Sequence, residues 1–282
     1  MSAVGLVGIK RRIKSVNNTK KITNAMGLVA TSKLRKAREA LTKNESYYDC
    51  LEEIKTKILN NIDCSSDYLK NNDNGKKLYL VVTSDLGLCG SYNLNVVTET
   101  LRNMKNNSNK SILVVLGGKG KIYFSKYGIT PDKVESIPDI PDMNTIESIT
   151  SYVLDKFNSG EVSSIDIVYT HFTSTVKQEV KVETLLPLQH TKSKDDNEFF
   201  DFEPDANLMV NEIIGLYLNE KILNITLNSK ACENAARMNA MNGATKNAND
   251  LLDKLNTKYN RIRQSSITEE ISEIVGGAEA QK

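Results

Sequence analysis

Proline is scarce in this sequence, and its five occurrences all fall between positions 131 and 204. The first 130 and the last 78 residues are therefore free of the strongest helix breaker. Histidine is scarcer still, with only His171 and His190. With no GxSxG, HExxH or paired-carboxylate signature beside them, no catalytic constellation can be assembled. The four cysteines, Cys50, Cys64, Cys89 and Cys232, form no CxxC pair and have no histidine nearby. That excludes a zinc site and suits reduced thiols. Tryptophan is absent. No apolar run approaches the roughly 18 to 20 residues a membrane span needs. The opening "MSAVGLVGIKRRIKSV" puts its charges after a short apolar patch, the reverse of a signal peptide, and runs straight into a helical pattern. A bacterial, cytosolic chain is expected, with no catalytic, metal or cofactor site of its own.

What is present is a soluble, folded composition: 39% apolar and 26% charged residues over 282 positions. The net charge of +2 hides an uneven distribution. Residues 1–43 carry eleven Lys or Arg against one acid, Glu39, a local balance of +10.

From Ile9, steps of four and three pick out Ile13, Val16, Lys20, Thr23, Gly27, Ala30, Leu34, Ala37 and Leu41, and continue through Asn44, Tyr48, Leu51, Lys55, Ile58 and Ile62. This is a heptad-like seam, weakened at Lys20, Asn44 and Lys55. A second stripe, Ile22, Met26 and Val29, faces elsewhere, so the helix is expected to meet more than one neighbour. Near the other end the same steps run from Leu227 through Ala231, Asn234, Met238, Met241, Thr245, Ala248, Leu252, Leu255 and Tyr259 to Ile262. Upstream, "EPDANLMVNEIIGLYLNEKILNI" is more uniformly apolar and reads as buried in a domain. Pro204 suits a helix start, and Gly276–Gly277 suit a stop. Helices of these lengths would span about 85 and 105 Å. Neither can bury its seam against the middle of the chain, so each needs the other, antiparallel.

Between them, "KKLYLVVTS", "SILVVLG", "SSIDIVYTHFTS" and "TVKQEVKVETLLPL" read as strands. "SYNLNVVTETLRNMKN", "KGKIYFSKYG" and "NTIESITSYVLDKFNSG" read as helices. The last two strand runs should pair. The expected architecture is α/β plus a long antiparallel two-helix coiled coil: residues 1–65 form the N-terminal helix, 66–205 an inserted domain of about five strands, and 206–282 the C-terminal helix. "HTKSKDDNEFFDFEPD" reads as a polar, acidic loop.

Two glycine-rich turns raise a nucleotide reading. "TSDLGLCGSYN" lacks the GxGxxG spacing and any GK[ST]. "LGGKGK" has no Ser or Thr after Lys121. Plain strand-to-helix turns account for both. The basic helix admits three readings: a solvated coil face, a nucleic-acid surface, or a face docked on an acidic protein. No Phe, Tyr or Trp occurs before Tyr47, which leaves nothing for a base to stack on. Complementary charge suits the third reading. Gly27 and Gly243 each cost about 1 kcal/mol against alanine in a helix. If residue 62 lies near 208, Met26–Gly27 should face about Gly243–Ala244 and form a narrow waist.

"NTKKITNAMGLVATSKLRKA", "TSDLGLCGSYN", "ARMNAMNGATKNAND" and "RQSSITEEISEIVGGAEA", in this order, resemble the γ subunits of F-type ATP synthases from end to end. The resemblance implies a central rotary shaft. Its coil would stand inside an α3β3 hexamer, and its α/β domain would rest on the c-subunit ring beside ε. Ion-driven rotation of the ring would then force the catalytic β sites through their conformations during ATP synthesis, or run in reverse on hydrolysis. The chain would bind neither nucleotide nor nucleic acid. It would meet the membrane only through the complex, at the cytoplasmic side. Carried over by motif, Met26 matches a position of efficient coupling, and Lys21 and Arg38 lie on the same basic helix. With Gly27, Arg35 and Lys36 they are the expected contacts of that helix, whose basic face would meet an acidic mobile element of β. Asp85, Gly87, Cys89 and Gly90 match a contact with the same element. Arg237, Gln264, Thr268 and Glu270 match coupling and bearing positions, and Phe202 and Glu203 face the c ring. Leu86 departs from the charged residue more usual there. An α/β nucleotide-binding enzyme with a helical dimerisation arm is the alternative.

Overall fold

A computed structural model describes residues 2–61, 67–69, 75–105, 111–188 and 206–280. The elements run α1 (Ser2–Asn61), β1 (Lys76–Val82), α2 (Tyr92–Lys105), β2 (Ser111–Leu116), α3 (Gly118–Ser125), β3 (Lys133–Glu135), α4 (Met143–Asn158), β4 (Val162–Phe172), β5 (Gln178–Leu186) and α5 (Ala206–Glu279), with a short 3-10 turn at Asp67–Leu69. The chain divides into two compact units, Met1–Ala30 with Met238–Lys282, and Thr31–Arg237.

In the first unit, stretches of α1 and α5 pack side by side and antiparallel. Gly27 is buried there, and a Cβ added to it would lie 3.1 Å from Asn242 Oδ1 and 3.6 Å from Met241 Cβ. The expected partner, Gly243, is exposed, with open space where its Cβ would point. The register therefore differs from expectation by about two residues, and the close approach is glycine against Met–Asn. Two short stripes of small residues fit each other in several offsets, so the side chain that packs best sets the register.

Every named seam position from Ile9 to Ile58 is buried or half-buried, as is every one from Leu227 to Ile262. Ile22 and Val29 point to solvent, and Met26 is half-buried. The α5 helix continues through Gly276 and Gly277 to Glu279, past the expected stop. Ala280 N–H still donates to Gly276 C=O at 3.0 Å, so the glycines are spanned by a helical hydrogen bond instead of capping one. Phe202, Glu203, Pro204, His190, Cys64 and Ile62 lie outside the described residues.

The second unit holds a five-stranded sheet in the order β3-β2-β1-β4-β5. β1 pairs in parallel with β2 and β4, and β2 pairs in parallel with β3. β5 pairs with β4 as expected, and runs antiparallel to it. The three-residue β3 has no counterpart in the expected elements. It is too short to show periodicity and forms because β2 offers it an edge.

The apolar strands are explained by cover on both faces. Leu78, Leu80 and Val82 of β1, with Ile112, Val114 and Leu116 of β2, pack toward Ile146, Ile149, Val153 and Phe157 of α4 and toward the two long helices. Tyr79, Val81, Leu113 and Val115 pack the other way, toward Val96 and Val97 of α2 and Phe124 of α3. The α4 N-terminus is closed by Asp142, whose carboxylate accepts from Thr145 N–H at 3.1 Å.

The long helices enter this core through Leu51 and Ile58 of α1 and Ile214, Tyr217, Leu218, Ile222 and Ile225 of α5, which explains the unbroken apolar run upstream of the C-terminal seam. Two polar seam positions are satisfied rather than tolerated. Asn44 donates to Glu220. Lys55 pairs with Glu52 and lies 4.6 Å from the Tyr217 ring centre. The Glu52 carboxylate also accepts from Tyr48 and Tyr217, each at 2.8 Å.

Candidate partner-contact site

The loop after β1, residues 83–91, is fixed at almost every residue. Ser84 N–H donates to Asn93 Oδ1 at 2.9 Å, and Asn93 Nδ2 donates back to Ser84 Oγ at 2.7 Å. Ser84 Oγ donates to Leu86 C=O at 2.6 Å. The Asp85 carboxylate accepts from Gly118 N–H at 3.0 Å and from Ile137 N–H at 3.1 Å. Leu88 sits at φ 64°, a left-handed conformation that costs a branched side chain free energy, and Gly90 follows at φ 59°. Leu86 and Leu88 are nonetheless 62% and 59% exposed. Cys89, between them and the core, is 2% exposed.

That loop is gripped from α5. Arg237 is only 7% exposed. Its Nη2 donates to Leu86 C=O at 3.1 Å and to Glu233 Oε1 at 2.7 Å, its Nε to Gly87 C=O at 3.2 Å, and its Nη1 to Asn234 Oδ1 at 3.1 Å. Lys230, also buried, donates to Ile137 C=O at 2.9 Å and lies 3.7 Å from Asp85 and 3.5 Å from Glu233. The charges lie close together, which lets a buried ionic cluster persist. Beside it Cys89, Tyr92 and Cys232 pack together with Phe172 and Ala236. Burial pushes the Cys232 thiol up to about 12 and raises the Cys89 thiol and the Tyr92 phenol as well. Buried and held protonated at neutral pH, the two thiols serve as packing groups.

This arrangement bears on both glycine-rich turns, the first through the packing of α5 and the second through its backbone donors. In open α/β sheets a ligand lies beyond the carboxyl ends of the strands, where the winding reverses, here between β1 and β4. That place is filled by this chain's own α5, through Cys232 and Ala236 against Cys89 and Phe172. In the second turn the donors that would cradle a phosphate are also spent. Gly118 N–H goes to Asp85, Lys119 N–H to Ser84 C=O at 2.9 Å, and Gly120 N–H to Thr83 Oγ1 at 3.1 Å. Among the described residues no group of three or more His, Cys, Asp or Glu is placed to hold a metal.

The structure thus brings Asp85, Gly87, Cys89, Gly90 and Arg237 together. Of these, the side chains of Asp85, Cys89 and Arg237 are turned inward and engaged. The outward groups are Leu86, marked in the sequence only as a departure from the usual charged residue, and Leu88, which the sequence did not single out. On α1, Lys21, Arg35, Lys36 and Arg38 are exposed. Arg35 lies 3.7 Å from Glu39 in an i,i+4 pair, and the Arg38 guanidinium lies 5.7 Å from the Phe172 ring centre. On α5, Gln264, Thr268 and Glu270 are exposed, and Thr268 Oγ1 donates within the helix to Gln264 C=O at 2.9 Å. Beside them runs a second overlooked apolar stripe, Ile267, Ile271 and Ile274, whose 4,3 spacing was legible in "SITEEISEIV".

A family model described as ATP synthase matches residues 5–281. A protein of Clostridium novyi (strain NT), the ATP synthase gamma chain, is 51% identical over 285 residues, covering 100% of both chains. The ATP synthase gamma chain of Clostridium botulinum (strain Loch Maree / Type A3) is 48% identical over 283 residues with the same coverage. Among solved structures, a chain from the central stalk and c ring of the Tetrahymena thermophila mitochondrial ATP synthase matches with a TM-score of 0.62 and 26% identity, covering 79% of this chain and 99% of that one. A chain of the Euglena gracilis mitochondrial enzyme matches with a TM-score of 0.71 at 18% identity, over 98% and 94% of the two chains, which speaks to the fold alone.

Proposed function

The chain belongs to the family of ATP synthase γ chains, and on that footing we propose how its surfaces divide the work of a rotor. It is the central shaft of the complex and a non-catalytic subunit, linking ion-driven rotation to ATP synthesis or hydrolysis at sites in other chains. The observation that carries this is the full-length relation to γ chains, joined to two long helices whose seams bury each other's residues.

In this reading residues 1–65 and 206–282 are the shaft and 66–205 the domain that takes up rotation. The α3β3 hexamer surrounds the paired helices, and the c ring and ε meet the α/β domain, with Phe202 and Glu203 toward the ring. Lys21, Met26, Arg35, Lys36 and Arg38 face the acidic mobile element of β. The Leu86–Leu88 knuckle meets the same element, with Asp85, Gly87, Cys89 and Gly90 as its frame. Gln264, Thr268 and Glu270, with the Ile267, Ile271 and Ile274 stripe, lie toward the upper bearing. Among the described residues no helix is long and apolar enough to cross a membrane. In this reading the chain meets the bilayer through the complex, on its cytoplasmic face.

The test is reconstitution with the complex's own α and β chains. Cooperative multisite ATPase should require this chain. Equal cooperativity without it would remove the shaft role. The nucleotide-binding alternative predicts micromolar ATP or NAD binding by the chain alone. The occupied cradle above argues against it.

A further inference from the structure

Leu88 poses a physical problem. A branched apolar residue is held in a left-handed conformation and presented to solvent, with a second exposed leucine two positions before it. Such strain persists only where the surroundings over-determine it. Within the loop, Ser84, Asn93 and Asp85 supply part of that constraint. The remainder comes from one side chain. The Arg237 guanidinium donates to two consecutive carbonyls, Leu86 and Gly87, immediately before the strained residue. It is buried, paired with Glu233 at 2.7 Å and braced by Asn234, so the fork is aimed before it meets the loop.

We propose that Arg237 is a positioning residue, buried beneath the contact surface. It holds the 84–90 loop in its strained form so that Leu86 and Leu88 are presented as a rigid apolar knuckle. This rests on the reading of that loop as a β contact, and it changes the role of Arg237 from touching the partner to shaping what touches it. Glu233 and Asn234 set the plane of the guanidinium. The planar fork is what matters: a lysine keeps the charge opposite Glu233 but offers one nitrogen where Arg237 uses three, set apart to meet Leu86, Gly87, Glu233 and Asn234 together.

The loop carries its own reporter. Cys89 is buried beside Ser84 and Asn93, at 3.4 Å from Asn93 Nδ2, and becomes reachable only if the loop opens. The experiment uses the assembled complex. Maleimide labelling of Cys89 is followed by peptide mass spectrometry, with exposed Cys50 as the internal standard, alongside the ratio of ATP-driven ion pumping to ATP hydrolysis. Arg237→Lys should raise Cys89 labelling about tenfold and lower the pumping ratio at least threefold, with hydrolysis retained. Ser84→Ala, which removes the other donor to Leu86 C=O, should move both readouts the same way and serves if the lysine variant does not assemble. Unchanged Cys89 labelling in these variants overturns the proposal, as does an opened loop with full coupling. Leu86→Ser with Leu88→Ser leaves the clamp intact and tests the contact itself. If that pair couples normally, the contact reading fails. If it uncouples while Arg237→Lys does not, only the clamp fails.

Discussion

Thr23 and Thr245 share a hydroxyl-to-hydroxyl hydrogen bond of 2.8 Å across 222 positions of sequence. That single bond fixes which turn of one helix faces which turn of the other. It places Gly27 one helical turn farther along, against Met241 and Asn242. Replacing Gly27 with leucine should overpack this approach and destabilise the helix pair by about 1–3 kcal/mol. Gly243→Ala, which adds a methyl to open space, should stabilise by up to about 1 kcal/mol. Thermal unfolding of both variants checks the contrast. Similar effects at the two glycines would mean that the register is wrong.

Arg35→Glu with Lys36→Glu reverses two exposed charges, and among the described residues it breaks the surface pair of Arg35 with Glu39. A surface pair of this kind contributes little. Assembly should survive, and ATP-driven pumping should fall several-fold against hydrolysis, more steeply at low salt. Pumping measured in membrane vesicles at two ionic strengths checks this. Unchanged pumping would remove the acidic-partner reading of the basic face.

Glu52 gives a pH signature. Burial alone would raise its carboxyl, but hydrogen bonds from Lys55, Tyr217 and Tyr48 outweigh that and hold it below the ordinary 4.5. A depressed carboxyl stabilises the fold fully above its unfolded value, and that stability is lost as pH falls through the folded value. Glu52→Gln should therefore lower Tm at pH 7, by the equivalent of about 1–2 kcal/mol. The gap to the parent should close as pH drops below 4.5. Tm measured from pH 7 to 3 reads it out. A gap that widens toward acid would contradict the network as described.

Gly117 stands at φ 106°, and a Cβ there would lie 2.3 Å from Thr83 C=O. Gly117→Ala should cost several kcal/mol, by strain and by parting β1 from β2, and it should reduce soluble yield. Millimolar ATP should leave the Tm of the parent chain unchanged, because the turn's donors are already taken. A rise of several degrees with ATP would reopen the nucleotide reading.

The seams were readable because helix periodicity is a local signal: the positions from Ile9 to Ile58 and from Leu227 to Ile262 were chosen by step alone and all lost solvent. The register was not readable, because Gly27 and Gly243 look alike in sequence and only their neighbours tell them apart. The candidate site was legible as a segment, "DLGLCG", but not as an arrangement of side chains. That Asp85, Cys89 and Arg237 turn inward while two leucines turn outward depends on contacts between residues about 150 positions apart, such as Arg237 with Gly87. No spacing rule reports such contacts.

The shaft role is tested most directly by watching this chain turn. With α3β3 fixed to a surface and a probe attached at exposed Cys50, ATP should drive unidirectional, stepwise rotation of the probe, which stops when ATP is removed. Continued hydrolysis beneath a probe that stays still, in complexes shown to contain the chain, would contradict it.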